Sequence, residues 1–201
     1  MKIIKITLLI TVALTLTNCA SGYKMIEPKT INYISANESD GVKLEYKYDL
    51  LDKKYEKKEL KKGVKLVAVK ITNNSGKDLM FGRDAKLAYE NGTEVYVMEN
   101  EKAFKTLKQS PASYLWYLLL TPMNFYTAEN GQETSSTPVG LVVGPGLAGG
   151  NMIAAGSANK KFKEEMLEYN VNGTIIKSGE TKYGLIGIKT DSFDALKLKI
   201  E

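Results

Sequence analysis

From residue 42 the chain alternates, with Val42, Leu44, Tyr46, Tyr48 and Leu50 on one face and Lys43, Glu45, Lys47 and Asp49 on the other. A period of two marks a strand with one buried and one wet face. VKLVAVKIT, with Val67, Val69 and Ile71 facing one way, predicts a second strand that ends in the turn cluster Asn73-Asn74-Ser75-Gly76-Lys77. Residues 85–89 and 93–98 flank Asn91-Gly92, a pair that tolerates positive φ, which predicts strands on both sides of a hairpin turn. Toward the end, GTIIKSGETKYGLIGIK and DALKLKI predict two or three more strands, with turns at 177–180 and 190–194. At least six short strands at this spacing imply a mainly β fold, an antiparallel β-sandwich of immunoglobulin-like or related type over residues 42–201.

Residues 109–159 break the pattern, because Glu129 and Glu133 are their only charges in a chain that is 25% charged. The first limb, ASYLWYLLLTPMNFYTA, is apolar and aromatic around its whole circumference, and Pro122 should kink or end a helix there. The second, PVGLVVGPGLAGGNMIAAGSAN, carries Gly140, Gly144, Gly146, Gly149, Gly150 and Gly156, which allow close backbone approach. Together they predict an inserted apolar helical hairpin at about 110–169 with its limbs packed together. Ala148, Met152, Ala155, Asn159, Phe162, Met166 and Tyr169 recur at steps of four and three, so one helix can carry that stripe.

The N-terminus says where the chain resides. Lys2 and Lys5 precede an uncharged run, residues 6–18, of the length of a signal-peptide core and short for a membrane span. Leu16-Thr17-Asn18-Cys19 resembles the lipobox of bacterial lipoproteins, in which a diacylglyceryl group is added to the cysteine sulfur and the preceding peptide is removed. Asn18 departs from the small residue usual before that cysteine. The resemblance implies a signal peptide over residues 1–18 and lipidation at Cys19. Residues 19–41 then read as a tether or a first irregular strand.

Composition narrows the chemistry. The chain has no histidine and one cysteine, which removes Ser-His-Asp, Cys-His and His-ligated zinc sites and any internal disulfide. No catalytic residue, metal site or cofactor is assigned. Arg83 is the only arginine and the formal charge is +5, two of which belong to Lys2 and Lys5, so a nucleic-acid partner is not expected. The lysine run Lys53, Lys54, Lys57, Lys58, Lys61, Lys62 and Lys65 suits either anionic headgroups or a solvated hairpin tip or helix face. Asp52, Glu56 and Glu59 lower its field and favour the second. Gly144-Pro145-Gly146-Leu147-Ala148-Gly149 has the spacing of a phosphate loop, but Pro145 removes one amide such a loop needs.

The stretches LTNC, VKLVAVKITNNS, SPASYLWYLLLTP, PVGLVVGPGLAGG and SGETKYGLIGI resemble a group of Gram-negative, Bacteroidetes-like envelope lipoproteins that combine a lipobox, a β-sandwich and a Gly-rich apolar insertion. That resemblance implies no activity. Ala20-Ser21 after Cys19, without an aspartate or an acidic cluster, resembles outer-membrane lipoproteins facing the periplasm.

These features point to a non-enzymatic, lipid-anchored scaffold or contact module whose hairpin meets a membrane or an envelope protein partner. The alternative is a carrier or sensor of a hydrophobic ligand held between hairpin and sandwich. The candidate contact residues are Tyr114, Trp116, Tyr117, Met123, Phe125, Tyr126 and Met152. Three placements suit the hairpin: a cover that buries its aromatics on the sandwich, an element in the outer leaflet, or an oligomer contact or spanning hairpin. The cover is the favoured one.

Lipidation is tested directly. We expect mass spectrometry of the mature protein to find a diacylglyceryl group on Cys19 at the N-terminus, and Cys19→Ser to leave a soluble or unprocessed form. An unmodified Cys19, or cleavage at another bond, would end this assignment.

Overall fold

The computed structural model describes residues 19–201; the signal segment assigned to residues 1–18 lies outside the described residues. In chain order the elements are β1 (Ser35–Ser39), β2 (Val42–Lys47), α1 (Lys53–Lys62), β3 (Val64–Asn73), β4 (Leu79–Met80), β5 (Ala85–Tyr89), β6 (Val97–Met98) and α2 (Asn100–Leu107). A 3-10 helix, Pro111–Leu120, follows, then β7 (Phe125–Glu129), β8 (Gln132–Thr137), α3 (Gly140–Glu168), β9 (Ile175–Ile176), β10 (Thr181–Lys189) and β11 (Leu196–Ile200). They form two compact units, one of residues 19–22 and 109–158, the other of residues 23–108 and 159–201. Helix α3 contributes residues to both.

In the larger unit a five-stranded antiparallel sheet runs in the order β1-β2-β3-β10-β6, and two small sheets, β11-β5 and β4-β9, accompany it. The alternation from residue 42 is realised: Val42, Leu44 and Tyr46 are buried while Lys43, Glu45 and Lys47 are half-exposed. They join Val67, Val69, Ile71, Ile186 and Ile188 in one core with Leu87, Leu196 and Leu198 of β5 and β11. Leu66, Ala68 and Leu185, which alternate with those residues on β3 and β10, are buried as well. The central strands are thus buried on both faces, as a nearly continuous apolar run requires.

That second buried face accounts for the difference from the expected mainly β sandwich. Helix occupies 31% and strand 32% of the described residues, in several small antiparallel sheets, so the fold is mixed. Helices α1 and α2 pack on the central strands, and Gly187 of β10 faces Ala103 of α2 so closely that an added Cβ would stand 2.5 Å from the alanine's. Tyr23, Tyr55, Phe104 and Phe162 meet with ring centroids 5.0–5.7 Å apart, filling this side with aromatic contacts.

Residues 23–41, read from sequence as a tether or a first irregular strand, contain β1. Tyr23 and Ile26 are buried, and the Glu165 carboxylate accepts hydrogen bonds from Tyr23 Oη (2.6 Å), Ile26 N (2.9 Å) and Glu27 N (2.7 Å). A carboxylate taking three donors is a strong local clasp, and β1 then pairs with β2 over five residues. The turns behave as their residues dictate. Asn73 Nδ2 donates to the carbonyls of Lys77 and Ile176, and Thr93 N donates to Asn91 Oδ1 beside Gly92 at φ 87°. Across that turn Tyr89 N donates to Thr93 O at 2.9 Å and Val95 N to Leu87 O at 2.8 Å, with Ala88 bridged antiparallel to Glu94, so the expected hairpin forms; beyond it β5 also pairs with β11 and β6 with β10.

Glu59 of α1 is buried and accepts a 2.6 Å hydrogen bond from Leu66 N. Burial pushes its carboxyl up to about 7, against the opposing pull of that hydrogen bond and of Lys65. A folded pKa above the unfolded one means stability fully present below the unfolded glutamate range, about 4.3, and lost as pH rises through about 7. Urea titrations should show the native chain losing on the order of 1–3 kcal/mol between pH 4.5 and 8 from this group. Glu59→Gln, which keeps the acceptor without the charge, should flatten that dependence; an unaltered pH profile would refute the assignment.

Candidate functional site

The 3-10 helix of the smaller unit begins with Pro111, whose fixed φ suits the first position of a helix. The segment that follows winds as a 3-10 helix, with three residues per turn, so residues three apart eclipse. Pro111, Tyr114, Tyr117 and Leu120 accordingly form one covered ridge, with Tyr114 buried and the others half-buried. Tyr114 and Tyr117 stack with centroids 6.4 Å apart. The two remaining sides of the helix carry Leu115, Trp116, Leu118 and Leu119, all exposed.

The expected helical hairpin is therefore replaced by a 3-10 helix, a β-hairpin and a long helix. Asn130 and Gly131, at φ 54° and 81°, turn β7 into β8, and Glu129 and Glu133 lie beside that turn. Both charges of the insertion thus sit at a polar tip, with Phe125 and Tyr126 at the other end of the strands.

The limbs on either side of this hairpin do pack together, through backbone. Gly140 N donates to Met123 O at 2.8 Å, and a Cβ on Gly140 would fall against the Leu120 carbonyl and 2.7 Å from Met123 N. One turn on, a Cβ on Gly144 would stand 2.9 Å from Thr121 Oγ1 and 3.1 Å from Tyr117 O. Two glycines four apart on one helix face make this approach possible. Gly144 to Gly149 lie inside α3, so the glycine-spaced motif is helix and not a phosphate-binding loop.

Polar side chains of this unit grip residues 19–21. Ala20 N donates to Asn151 Oδ1 at 2.5 Å, Ser21 N donates to Gln109 Oε1 at 3.1 Å, and Gln109 Nε2 donates back to Ser21 O at 2.7 Å. Cys19 shares a hydrogen bond with Tyr117; burial, then the Cys19 sulfur, pushes that phenol up. Tyr114 is raised by burial, then by Tyr117 and Cys19. Gln109 and Asn151 were not legible as site residues, because nothing in sequence links them to residue 20.

Of the candidate contact residues, Tyr114 is buried and Tyr117 and Met152 are half-buried. Trp116, Met123, Phe125 and Tyr126 are exposed at 73%, 42%, 58% and 53%. The cover reading expected these aromatics to be buried; a 3-10 helix shields one residue in three, and Tyr114 alone among them is buried. Twelve of the nineteen large apolar side chains exposed on the described chain fall between residues 115 and 153, Leu119, Val142 and Ile153 among them. Among the described residues, no three of Cys, Asp and Glu come together to hold a metal ion. The chain matches no protein-family model, no curated protein and no solved structure.

The glycine contacts generate opposite expectations at two helix positions. Gly→Ala in an open helix interior gains up to about 1 kcal/mol, and Gly150 has nothing within 4 Å of an added Cβ. At Gly140 the same change forces the limbs apart, at a cost of about 1–3 kcal/mol. Thermal denaturation of the Cys19→Ser protein should place Gly140→Ala below and Gly150→Ala at or above the parent; equal shifts would mean that the backbone contact contributes nothing.

Proposed function

We propose that this chain is a non-enzymatic lipoprotein of the bacterial outer membrane, facing the periplasm, whose smaller unit docks on the leaflet that holds its anchor. The observation that carries the reading is the concentration of exposed apolar side chains on the unit that also grips Cys19. Surface of this kind is costly in water and is the normal complement of an acyl-chain boundary. Acyl chains on Cys19 would start beside Tyr117, next to Trp116 and Leu118 in the chain, so that anchor and apolar surface enter one leaflet together. Trp116, Phe125 and Tyr126 are the residue types that settle at headgroup level. The missing histidine and the use of the only cysteine as an anchor support a non-catalytic role.

Docking at the interface is favoured over spanning. Helix α3 is long and apolar enough to cross a membrane, with 28% of its most apolar window buried. Its companion limb is ten residues of 3-10 helix, about 20 Å at ~2 Å per residue, against the ~30 Å hydrocarbon core. The β7–β8 pair also has two open edges, which hydrocarbon does not satisfy.

The test is co-sedimentation of the Cys19→Ser protein, residues 19–201, with phosphatidylcholine vesicles. Pelleting is expected, with release by alkaline carbonate, and Trp116→Glu/Val142→Glu should reduce it about tenfold or more at unchanged Tm. Trp116→Ala should alter stability by no more than about 0.5 kcal/mol, as an exposed position does. No pelleting, with a concentration-dependent oligomer abolished by the double variant, would replace the membrane by a second copy of the chain. Resistance to carbonate would replace docking by spanning.

A further inference from the structure

Helices α1 and α2 of the larger unit border an open cleft of about 540 Å3, lined by Lys58 and Lys62 of α1, Lys102 and Lys105 of α2, and the carboxylates of Glu99 and Glu101. Four lysines thus line it with two acids and Thr106. Glu101 is already drawn to Lys105 at 3.4 Å and to Lys163 of α3 at 3.5 Å, which brings a fifth lysine to the rim. Burial, and then repulsion from Lys62 and Lys61, holds the Lys58 ammonium below the usual lysine range. On α1, Tyr55 and Glu59 are the buried residues, which turns the lysines between them away from the core.

We infer that this cleft binds a phosphoryl group. Lysines recognise phosphate as mobile point charges, and several ammonium groups on two helices suit an anion that carries more than one charge and at least three acceptor oxygens. A lone carboxylate would engage fewer of them. Two sources present that chemistry: the headgroup of an anionic lipid and a soluble phosphate compound. The inference does not rest on the reading of Cys19 or of the apolar unit, because every residue it uses lies in the other unit.

The experiment uses the Cys19→Ser protein, residues 19–201, with two probes. One is inorganic pyrophosphate, followed by calorimetry; the other is the gain in vesicle binding when phosphatidylglycerol is added to phosphatidylcholine. Lys58→Gln/Lys102→Gln removes one charge from each helix, and Lys197→Gln/Lys199→Gln removes two charges that do not line the cleft. The cleft variant should lose about 10- to 30-fold in pyrophosphate affinity, the control less than about twofold, with Tm unchanged in both. Lys58→Arg/Lys102→Arg, which keeps the charge, should retain binding. A cleft-dependent gain on phosphatidylglycerol vesicles, competed by pyrophosphate, identifies a lipid headgroup; pyrophosphate binding without that gain identifies a soluble phosphate compound. Equal losses in the cleft and control variants, or no binding of either probe, would overturn the inference.

Discussion

The antiparallel pairing of β3 with β10 is the constraint on which the larger unit depends. The register runs unbroken from Val64↔Lys189 to Thr72↔Thr181, and both strands are apolar on both faces at their centre. A strand pair with no side for water must be covered twice. Residues of β5 and β11 join the core on one face, while α1 and α2 pack from the other. Gly187 is the point at which α2 comes nearest, since any side chain there would occupy the place of Ala103. The Glu165 clasp and the Tyr23-Tyr55-Phe104-Phe162 cluster follow from the same demand, because a helical cover leaves crevices that a strand cover would not.

The smaller unit solves the opposite problem. It is rich in apolar residues yet buries few of them, and its two limbs come together where Gly140 and Gly144 let backbone approach. Glycine brings two segments close but adds no side chain to a core, so the leucines, valines and aromatics of both limbs are left outward. An apolar sequence can therefore produce an apolar exterior. Polar groups that would be misplaced in such a unit, Gln109 and Asn151, are spent on the backbone of residues 20 and 21.

Charge follows a similar logic. Residues between 109 and 159 keep their two acids beside the Asn130-Gly131 turn. The same Asn-Gly signal that marks the turn at 91–92 was available there, but the apolar, aromatic surroundings suggested helix and concealed it. The lysine run of α1 is ordinary in sequence, a solvated helix face. It becomes a concentration of positive charge once α2 sets Lys102 and Lys105 across from it.

The sequence by itself determined what depends on neighbours along the chain: the alternation of β2, strands within 64–72, 173–189 and 194–200, the turns at 73–77 and 91–92, the helical stripe through Phe162 and Met166, and the lipobox resemblance ahead of Cys19. Those properties need only a period, a φ preference or a local motif. Tertiary structure decided what depends on who stands opposite. It put helices on the second face of β3 and β10, gave β5 a second neighbour in β11 and β6 the neighbour β10, and packed residues 23–27 on Glu165. It also left Trp116 exposed where an apolar helix suggested burial. The physical reason is that burial and pairing are set by groups far apart in sequence, whose approach a single glycine or buried carboxylate permits and no local pattern announces.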